Sequence, residues 1–464
     1  MGDEGKIPKG RVRRSAKLGS TLGVQGARYA GTKAAGVART KEGAEEKLEA
    51  RHLETAIRMA SVLGEMKGAA MKLGQLASFV DSEFLPEEYR ELYQEQMAKL
   101  RSSAEPMPWE KVEKVLDDEY QGERVADIFA SFEEEAFAAA SIGQVHRAVT
   151  HDGRAVAVKV QYPGVAEAVD TDLRNLTLLL PLVKRLAPGL DVKALYGELR
   201  ERIAEELDYE LEAQNQRAIA RAHRGHPFAV VPAVLTELSA RRVLVTELLV
   251  GERFEAVKRR DAATRDRFGE MVFRFYFGLV HHMGRVSGDP HPGNYLLLED
   301  GRVGFLDFGL MRVLEREYLD AESAIAVAVE ERDAASVHAL LARLGYLPEP
   351  DTFVPEDLLG QLAAMGAWYM EPGARRFSPQ WVAELLDSTT GPRSPWFGQM
   401  RRQSLPPQAL LLRRMEGLVL SSLGEARACA DWHAIAREYY AGGAPATPLG
   451  AAEWSFWTGL QAAA

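Results

Sequence analysis

The stretch that most constrains this chain is residues 287–310, whose sequence is SGDPHPGN followed by YLLLEDGRVGFLDFGL. Two prolines and a glycine in the first part prevent a continuous helix and predict a short loop. Two apolar runs, Tyr295–Leu298 and residues 303–306, predict strands joined by an Asp-Gly turn. A hairpin of this kind brings the polar loop before its first strand close to the tripeptide DFG after its second.

Three polar side chains of this stretch, Asp289, Asn294 and Asp307, form the pattern D-x-x-x-x-N followed by DFG. Kinases use this pattern for phosphoryl transfer, with the first Asp orienting or deprotonating the attacking hydroxyl. Asn294 and Asp307 would then supply the oxygen ligands that Mg²⁺ prefers. Asp-Pro, Pro-Gly and Asp-Gly are also ordinary turn pairs. Because both motifs occur in the right order around a hairpin, the pattern favours phosphoryl transfer over turn chemistry alone.

Composition narrows the class of protein further. A chain of 464 residues is too long for one hydrophobic core and predicts two or three packed units. The formal net charge of −10 argues against a nucleic-acid partner, because phosphate backbones are bound by clustered Lys and Arg. Cys429 is the single cysteine, so neither an intrachain disulfide nor a multi-cysteine metal site is possible. This cysteine usage suits a reducing cytoplasm.

Membrane-spanning segments are not expected in this sequence. No apolar run is long enough to cross a bilayer, and the aromatic C-terminal segment is too short and too polar to do so. The basic residues near the N-terminus lack the apolar core of a signal peptide and predict a disordered tail. The alternative for that tail is weak, reversible contact with anionic lipid. We therefore expect a cytoplasmic protein, with peripheral contact at the inner membrane as the alternative.

A loop of small residues and a lysine on a strand are predicted in the middle of the chain. Residues 137–149 predict a strand, a tight loop and a second strand. The loop contains four small residues: Ala138, Ala139, Ala140 and Ser141. An Asp-Gly turn leads to residues 155–160, a predicted strand of the form V-A-V-K that carries Lys159. A strand lysine in this place is typical of the residue that binds ATP phosphates in a kinase N-lobe.

Two further strands are predicted before the helical half of the chain. Residues 228–235 and Val243–Glu247 have strand-like composition, and Pro232 places the first of them at the start or edge of a sheet. The segment after the second strand is the predicted hinge. There, backbone groups of residues such as Glu247 and Leu249 would meet the adenine ring.

Two helical stretches carry further motifs. Residues 44–79 have apolar residues near helical spacing and contain Lys72 and Gln75 in the run KGAAMKLGQ, whose small residues permit another backbone to approach closely. A second stretch is rich in acids, among them Glu206, Asp208 and Glu212. Such acids usually form a solvated helix face. A phosphate-binding lysine needs a carboxylate partner from a helix, however, so one of them is expected to pair with Lys159.

Together and in this order, these motifs closely resemble the UbiB-type (AarF/ADCK) atypical kinase family over residues 53–344. The resemblance is specific, because the Lys72 motif, the alanine-rich loop and the Glu206 motif lie outside the general kinase set. It implies an α+β, bilobal protein-kinase-like fold with a small β-rich N-lobe and a helical C-lobe. The expected divisions are 1–43 (basic tail), 44–124 (N-terminal helical extension over the active site), 125–250 (N-lobe), 251–345 (C-lobe) and 346–464 (C-terminal helical region).

The resemblance also implies a role for each motif residue, with ATP and Mg²⁺ as cofactors. Lys159 resembles the ATP-phosphate lysine, Glu212 its helix partner and Asp289 the catalytic-loop aspartate. Asn294 and Asp307 resemble the metal ligands. The implied nucleotide-binding residues are Ala138, Ala139, Ala140, Ser141, Lys159, Glu247 and Leu249. The implied regulatory residues are Lys72 and Gln75, in a helical insertion over the active site, and Glu206 and Asp208, in the acidic motif that faces it.

Access to the predicted site is expected to be restricted. Each Cβ of the alanine-rich loop limits the approach of its backbone to phosphates, and a helix over the site would obstruct a peptide. The resemblance therefore implies an ATPase or a kinase for a small phenolic or lipid-like acceptor, in quinone (ubiquinone/isoprenoid) biosynthesis or lipid homeostasis. A nucleotide-binding pseudokinase scaffold for quinone-pathway enzymes is the alternative, and a protein kinase is less favoured. The pair Ser287-Gly288, where the family more often has His-Ala, is expected to alter packing under the loop.

Overall fold

The structure is a computed structural model that describes residues 107–140, 142–167, 193, 196–197, 200, 204–205, 207–391 and 393–463. Four predicted site residues lie outside the described residues: Lys72, Gln75, Ser141 and Glu206. The predicted basic tail and most of the predicted helical extension also lie outside them. No helix in the described part of the chain is long and apolar enough to cross a membrane.

The described residues belong to two compact units. The first contains residues 107–127, 132–140, 142–147 and 159–167. The second contains residues 128–131, 148–158 and the described residues from 193 onwards.

The first described elements are two helices and four strands. They are α1 (Trp109–Glu119), α2 (Val125–Ile128), β1 (Phe129–Phe132), β2 (Ala138–Ala139), β3 (Gly143–Thr150) and β4 (Ala155–Gln161). In β4, Val156, Val158 and Val160 are buried and alternate with the partly exposed Ala157 and Lys159. A strand with one buried face requires this alternation. The predicted strand that carries Lys159 is therefore confirmed.

Six further elements lead to the centre of the second unit. They are α3 (Tyr209–Ala222), β5 (Ala229–Val230), β6 (Val243–Glu247), β7 (Gly251–Arg253), α4 (Phe254–Val257) and α5 (Ala262–Met283). The strand order β1-β3-β4-β6, with β2 paired to β3, makes a five-stranded sheet. The strand predicted at residues 228–235 was wrong for most of its length, since only Ala229–Val230 forms one. Pro232 has no N–H to donate to a ladder, which ends the pairing.

The predicted hairpin is confirmed. Four short strands follow α5, namely β8 (Arg285–Ser287), β9 (Tyr295–Leu298), β10 (Val303–Phe305) and β11 (Met311–Val313). β9 and β10 pair antiparallel with Tyr295 opposite Phe305, and Gly301 adopts a positive φ of 79° at their turn. β10 also pairs with β5, β9 pairs with β7, and β11 pairs with β8.

The remainder of the chain is mainly helical. Its elements are α6 (Arg316–Glu330), α7 (Ala334–Arg343), α8 (Pro355–Met365), α9 (Ala367–Met370), β12 (Arg375–Arg376), α10 (Pro379–Thr390), α11 (Phe397–Met400), α12 (Pro407–Ala426), β13 (Cys429–Ala430), α13 (Trp432–Tyr440) and α14 (Pro448–Ala463).

Helix α5 is the centre of the main hydrophobic core. Asp261 caps its N-terminus by accepting a hydrogen bond from the Thr264 N–H (2.9 Å), and Gly284 ends it in the left-handed conformation. Every residue from 271 to 280 is buried. The core around it includes residues of α12, α13 and the hairpin strands, so the C-terminal helices and the hairpin share one core.

A buried ionic network attaches α14 to α5. The guanidinium of Arg274 is fully buried and lies 2.7 Å from Glu270, 2.7 Å from Glu438 and 3.0 Å from Glu453. Tyr439 also donates a hydrogen bond to Glu453 (2.7 Å). Burial raises the pKa of Glu453 to about 7, because desolvation of its carboxylate outweighs the attraction of Arg274. One of the three carboxyl groups around a single arginine is thus readily protonated.

We predict that Glu453→Gln removes a pH-dependent part of the stability. Because folding raises the pKa of Glu453, the folded protein holds a proton that the unfolded chain has released. The free energy of unfolding of the wild type therefore falls as the pH rises from about 5 to 8. The difference in unfolding free energy between variant and wild type should therefore change by about 2–3 kcal/mol across that range. Urea unfolding at several pH values measures it, and a difference that stays constant with pH would contradict the prediction.

Candidate active site

The loop between β8 and β9 is held by hydrogen bonds within itself. The Asp289 carbonyl accepts from the His291 N–H (2.7 Å) and from Asn294 Nδ2 (3.4 Å). The Asn294 N–H donates to the His291 carbonyl (2.9 Å), and His291 Nδ1 accepts from the Gly293 N–H (3.0 Å). Residues Pro292–Asn294 form a single 3₁₀ turn. Asp289 and Asn294 are therefore fixed next to each other.

The hairpin register brings the DFG segment to this loop. The Leu306 N–H donates to the Asn294 carbonyl (3.1 Å), which places Asn294 beside the residue that precedes Asp307. Asp307 Oδ1 accepts from the Gly309 N–H (3.0 Å). The structure thus brings together Asp289, Asn294 and Asp307, as the sequence predicts.

Helix α3 contributes two side chains to the DFG segment. Glu212 is buried, and its Oε2 would lie 3.4 Å from a Cβ placed on Gly309, while Asp307 Oδ1 would lie 3.5 Å from the same point. Both carboxylates therefore border this glycine. Asn215 donates to the Phe308 carbonyl (3.4 Å) and accepts from Arg285 (3.3 Å). Asn215 was not singled out from the sequence, because nothing local distinguishes it from other polar helix residues.

Asp208 begins the same helix. Its carboxylate caps α3 by accepting from the backbone N–H groups of Glu210 (2.9 Å) and Leu211 (3.2 Å). A cap of this kind satisfies two of the free donors at a helix N-terminus. Asp208 therefore fixes the start of the helix that carries Glu212, and its predicted regulatory role stays a prediction.

The predicted hinge residues contact strand β10 and the segment that precedes β6. Glu247 is exposed, and its Oε2 accepts from the Ala233 N–H (2.9 Å). Leu249 packs over Gly304 of β10, where an added Cβ would lie only 2.9 Å from Leu249 Cδ1. The glycine in the middle of β10 thus makes room for the hinge leucine. Neither contact identifies a bound adenine, so nucleotide binding by these residues stays a prediction.

In the first unit, the alanine-rich segment forms a tight hairpin. Ala138 pairs with Val145 and Ala139 with Gln144, and the Ala140 N–H donates to the Gly143 carbonyl (2.9 Å). The two predicted strands are confirmed as β2 and β3. The predicted loop was too long, because Ala138 and Ala139 pair with β3 and lie in β2, and Ser141 lies outside the described residues. Lys159 belongs to the same unit and lies on the less buried face of β4.

Two buried tyrosines lie beneath the loop between β8 and β9. The Tyr295 hydroxyl donates to the Pro290 carbonyl, and the ring of Tyr276 on α5 lies 6.0 Å from the ring of Tyr295. Burial raises the pKa of both tyrosines, and the negative charge of Asp289 adds to the effect. Both hydroxyls are therefore neutral, and that of Tyr295 acts as a hydrogen-bond donor to the loop. From the sequence, Tyr295 was predicted only as a strand residue, and its hydrogen bond to the loop was not predicted.

Gly288 allows α12 to pack against the loop. A Cβ at this position would lie 2.6 Å from Leu310 Cδ2 and 2.7 Å from Leu411 Cδ2. Both leucines are buried, so neither can move without disturbing its neighbours. The loop therefore has no room for a side chain at this position, where α12 and Leu310 approach it closely.

The donor set around the loop suits a magnesium nucleotide. Within the described residues, no group of three or more His, Cys, Asp or Glu side chains could hold a metal ion by itself. Mg²⁺ takes one or two protein oxygens and completes its shell with phosphate oxygens and water. Asn294 uses its amide nitrogen on the Asp289 carbonyl, so its Oδ1 is the atom that would bind a metal ion. Asn294 Oδ1 and the Asp307 carboxylate are therefore two suitable hard oxygen donors.

Comparison with known families identifies the class of protein. The ABC1 atypical kinase-like domain matches residues 99–341, just over half of the chain. The chain belongs to this family of atypical kinases, which confirms the UbiB-type (AarF/ADCK) resemblance. The α+β kinase-like fold predicted from the sequence is confirmed with it.

Individual relatives support the assignment. The atypical kinase coq-8 of Caenorhabditis elegans, a mitochondrial protein, is 32% identical over 305 residues, which are 65% of this chain and 40% of the relative. The mitochondrial atypical kinase COQ8B of Danio rerio is 32% identical over 338 residues, 72% of this chain and 53% of the relative. The chain thus spans about half the length of such curated relatives, or less. A solved complex of Rv3197 with erythromycin from Mycobacterium tuberculosis is 31% identical with a TM-score of 0.61, and the match covers 86% of this chain and 98% of that one.

We predict that Gly288→Ala destabilises the protein by about 1–3 kcal/mol, because the new methyl group overpacks the contact with Leu310 and Leu411. Gly417→Ala is the matched control, since Gly417 lies on α12 with no atom within 4 Å of its added Cβ. That control should be neutral or stabilising, by up to about 1 kcal/mol, because alanine favours a helix. Denaturant unfolding measures both variants, and equal stability of Gly288→Ala and wild type would show that the contact is not tight.

Proposed function

We propose that this chain is an ATP- and Mg²⁺-dependent phosphotransferase or ATPase that transfers the γ-phosphoryl group to water or to a small or lipid-like acceptor. The observation that carries the proposal is the convergence of Asp289, Asn294 and Asp307 through one loop and one hairpin register. Membership of an atypical kinase family supports the same reaction class.

Each residue has a defined task in this proposal. Asp289 accepts a hydrogen bond from the attacking hydroxyl or water and orients it towards the phosphorus. Lys159 binds phosphate oxygens from the less buried face of β4, and Glu212 is its proposed carboxylate partner. Asn294 and Asp307 would hold Mg²⁺, which would offset the negative charge of the phosphate oxygens. Backbone groups of the hinge and the alanine-rich loop would bind the rest of the nucleotide.

We infer the class of acceptor from the expected restriction of access to the site and from the names of relatives. The alanine-rich hairpin presents methyl groups where a glycine loop would let its backbone close on phosphates. A peptide is therefore a less suitable acceptor than a small phenol or a lipid. Relatives named COQ8 support a role in quinone biosynthesis, with lipid homeostasis as the alternative pathway. Erythromycin, present in the solved relative, is a further small-molecule ligand for testing.

The experiment measures ADP formation from Mg·ATP by the purified full chain, because transfer to water and transfer to an acceptor both release ADP. The chain is assayed alone and with anionic liposomes, a phenolic quinone precursor or erythromycin. We predict that Asp289→Asn and Asp307→Asn each lower turnover by about 100-fold or more, because orientation and metal binding act on the transition state. Asp289→Asn should still bind Mg·ATP. Asp300→Asn is the control, since Asp300 pairs with Arg302 at the exposed hairpin turn.

The possible results separate the candidate functions. Turnover that depends on Asp289 and Asp307 but not on Asp300 supports the enzyme. Nucleotide binding with no turnover above the two aspartate variants would instead support a pseudokinase scaffold. Stimulation by liposomes, together with binding to them, would support peripheral contact with an anionic membrane. Label from γ-³²P-ATP on protein but not on small molecules would support a protein kinase.

A further inference from the structure

Helix α12 contributes a buried arginine to the catalytic loop. Arg414 Nε donates a hydrogen bond to the Gly288 carbonyl, and Nη2 of the same guanidinium lies 3.6 Å from Asp289 Oδ1. The loop carbonyl and the catalytic carboxylate are thus contacted by two nitrogens of one planar group. Arg414 lies well outside residues 99–341, to which the family domain matches. It was predicted only as part of the C-terminal helical region.

The burial of this arginine requires compensation. Its side chain is 5% exposed and that of Asp289 is 14% exposed. Burial lowers the pKa of Arg414, and the neighbouring Asp289 carboxylate counteracts that effect. A buried charge without a partner costs several kcal/mol, so an arginine in this place needs the carbonyl and the carboxylate that it contacts. A hydrophobic residue would complete the helix face without that cost.

We propose that Arg414 is a positioning residue for the phosphoryl transfer, because it fixes the direction of the Asp289 carboxylate relative to the loop backbone. The inference rests on the proposed function. Since guanidinium nitrogens have a rigid planar arrangement, the bond to the Gly288 carbonyl determines where the second nitrogen meets Asp289. Asp289 then needs no rearrangement when an acceptor hydroxyl arrives, and misplacement of such a group by about 1 Å can cost about 100-fold in rate.

The neighbouring Arg413 provides a matched control. It lies on the same helix and makes ion pairs with Glu322 and Glu416 (2.8 Å), away from the catalytic loop. Loss of either arginine removes a positive charge and ion pairs from α12. Only the loss of Arg414 removes contacts with Gly288 and Asp289.

We predict that Arg414→Met lowers kcat for ATP turnover by about 10- to 100-fold, while KM and the affinity for Mg·ATP change by less than about 3-fold. Arg414→Lys should recover part of kcat, since it keeps a charged donor without the planar geometry. Arg413→Met should lower the melting temperature but leave kcat within about 3-fold of wild type. All rates are measured at a temperature where circular dichroism shows each variant folded.

A double-mutant cycle identifies the residue through which Arg414 acts. If it acts by positioning Asp289, then Arg414→Met should cost little further turnover in an Asp289→Asn background, because the two effects are not additive. A solely structural role would lower turnover by the same factor in both backgrounds. Should Arg414→Met not fold, the same cycle is measured with Arg414→Lys.

Several results would overturn the proposal. Equal kcat of Arg414→Met and Arg413→Met would show that the loop contact is not needed. A loss confined to KM or nucleotide affinity, or an additive double-mutant cycle, would show that Arg414 does not act through Asp289. Absence of turnover by the wild-type chain would overturn both this inference and the proposed function, whereas wild-type turnover with an active Arg414→Met variant would overturn this inference alone.

Discussion

Three consecutive carbonyl groups of the catalytic loop accept hydrogen bonds from side chains, and the site depends on these bonds. The Gly288 carbonyl is bound by Arg414, the Asp289 carbonyl by Asn294 and the Pro290 carbonyl by Tyr295. A loop with two prolines cannot satisfy its carbonyls through a regular ladder, so side chains share this task with the backbone N–H of His291. Their donors come from the loop itself, from the hairpin and from α12. The direction of Asp289 is thus set by parts of the chain that lie far apart in sequence.

The involvement of α12 makes the C-terminal helices part of the site. This helix packs against α5 and β8, supplies Leu411 against Gly288, and places Arg414 on the Gly288 carbonyl. The family match ends at residue 341, before this helix begins. Changes in the packing of the C-terminal region can therefore reach the catalytic loop through rigid side chains rather than through a flexible linker.

The sequence predicted those features that local chemistry determines. Turn pairs and apolar runs were sufficient for the hairpin and for the proximity of Asp289, Asn294 and Asp307. Alternation of valines was sufficient for the strand of Lys159. The strand predicted at residues 228–235 was wrong for most of its length, because Pro232 has no N–H to donate to a ladder although the segment is apolar.

Contacts between distant segments could not be predicted. Neither Asn215 nor Arg414 has a local pattern that separates it from an ordinary helix residue, and the close packing of Gly288 depends on two leucines from other segments.

Hydrogen–deuterium exchange of the peptide covering residues 285–294 tests the dependence of the loop on α12 most directly. We predict much faster exchange of this peptide in Arg414→Met than in wild type or Arg413→Met, and unchanged exchange in α7. Equal exchange in all three proteins would contradict it.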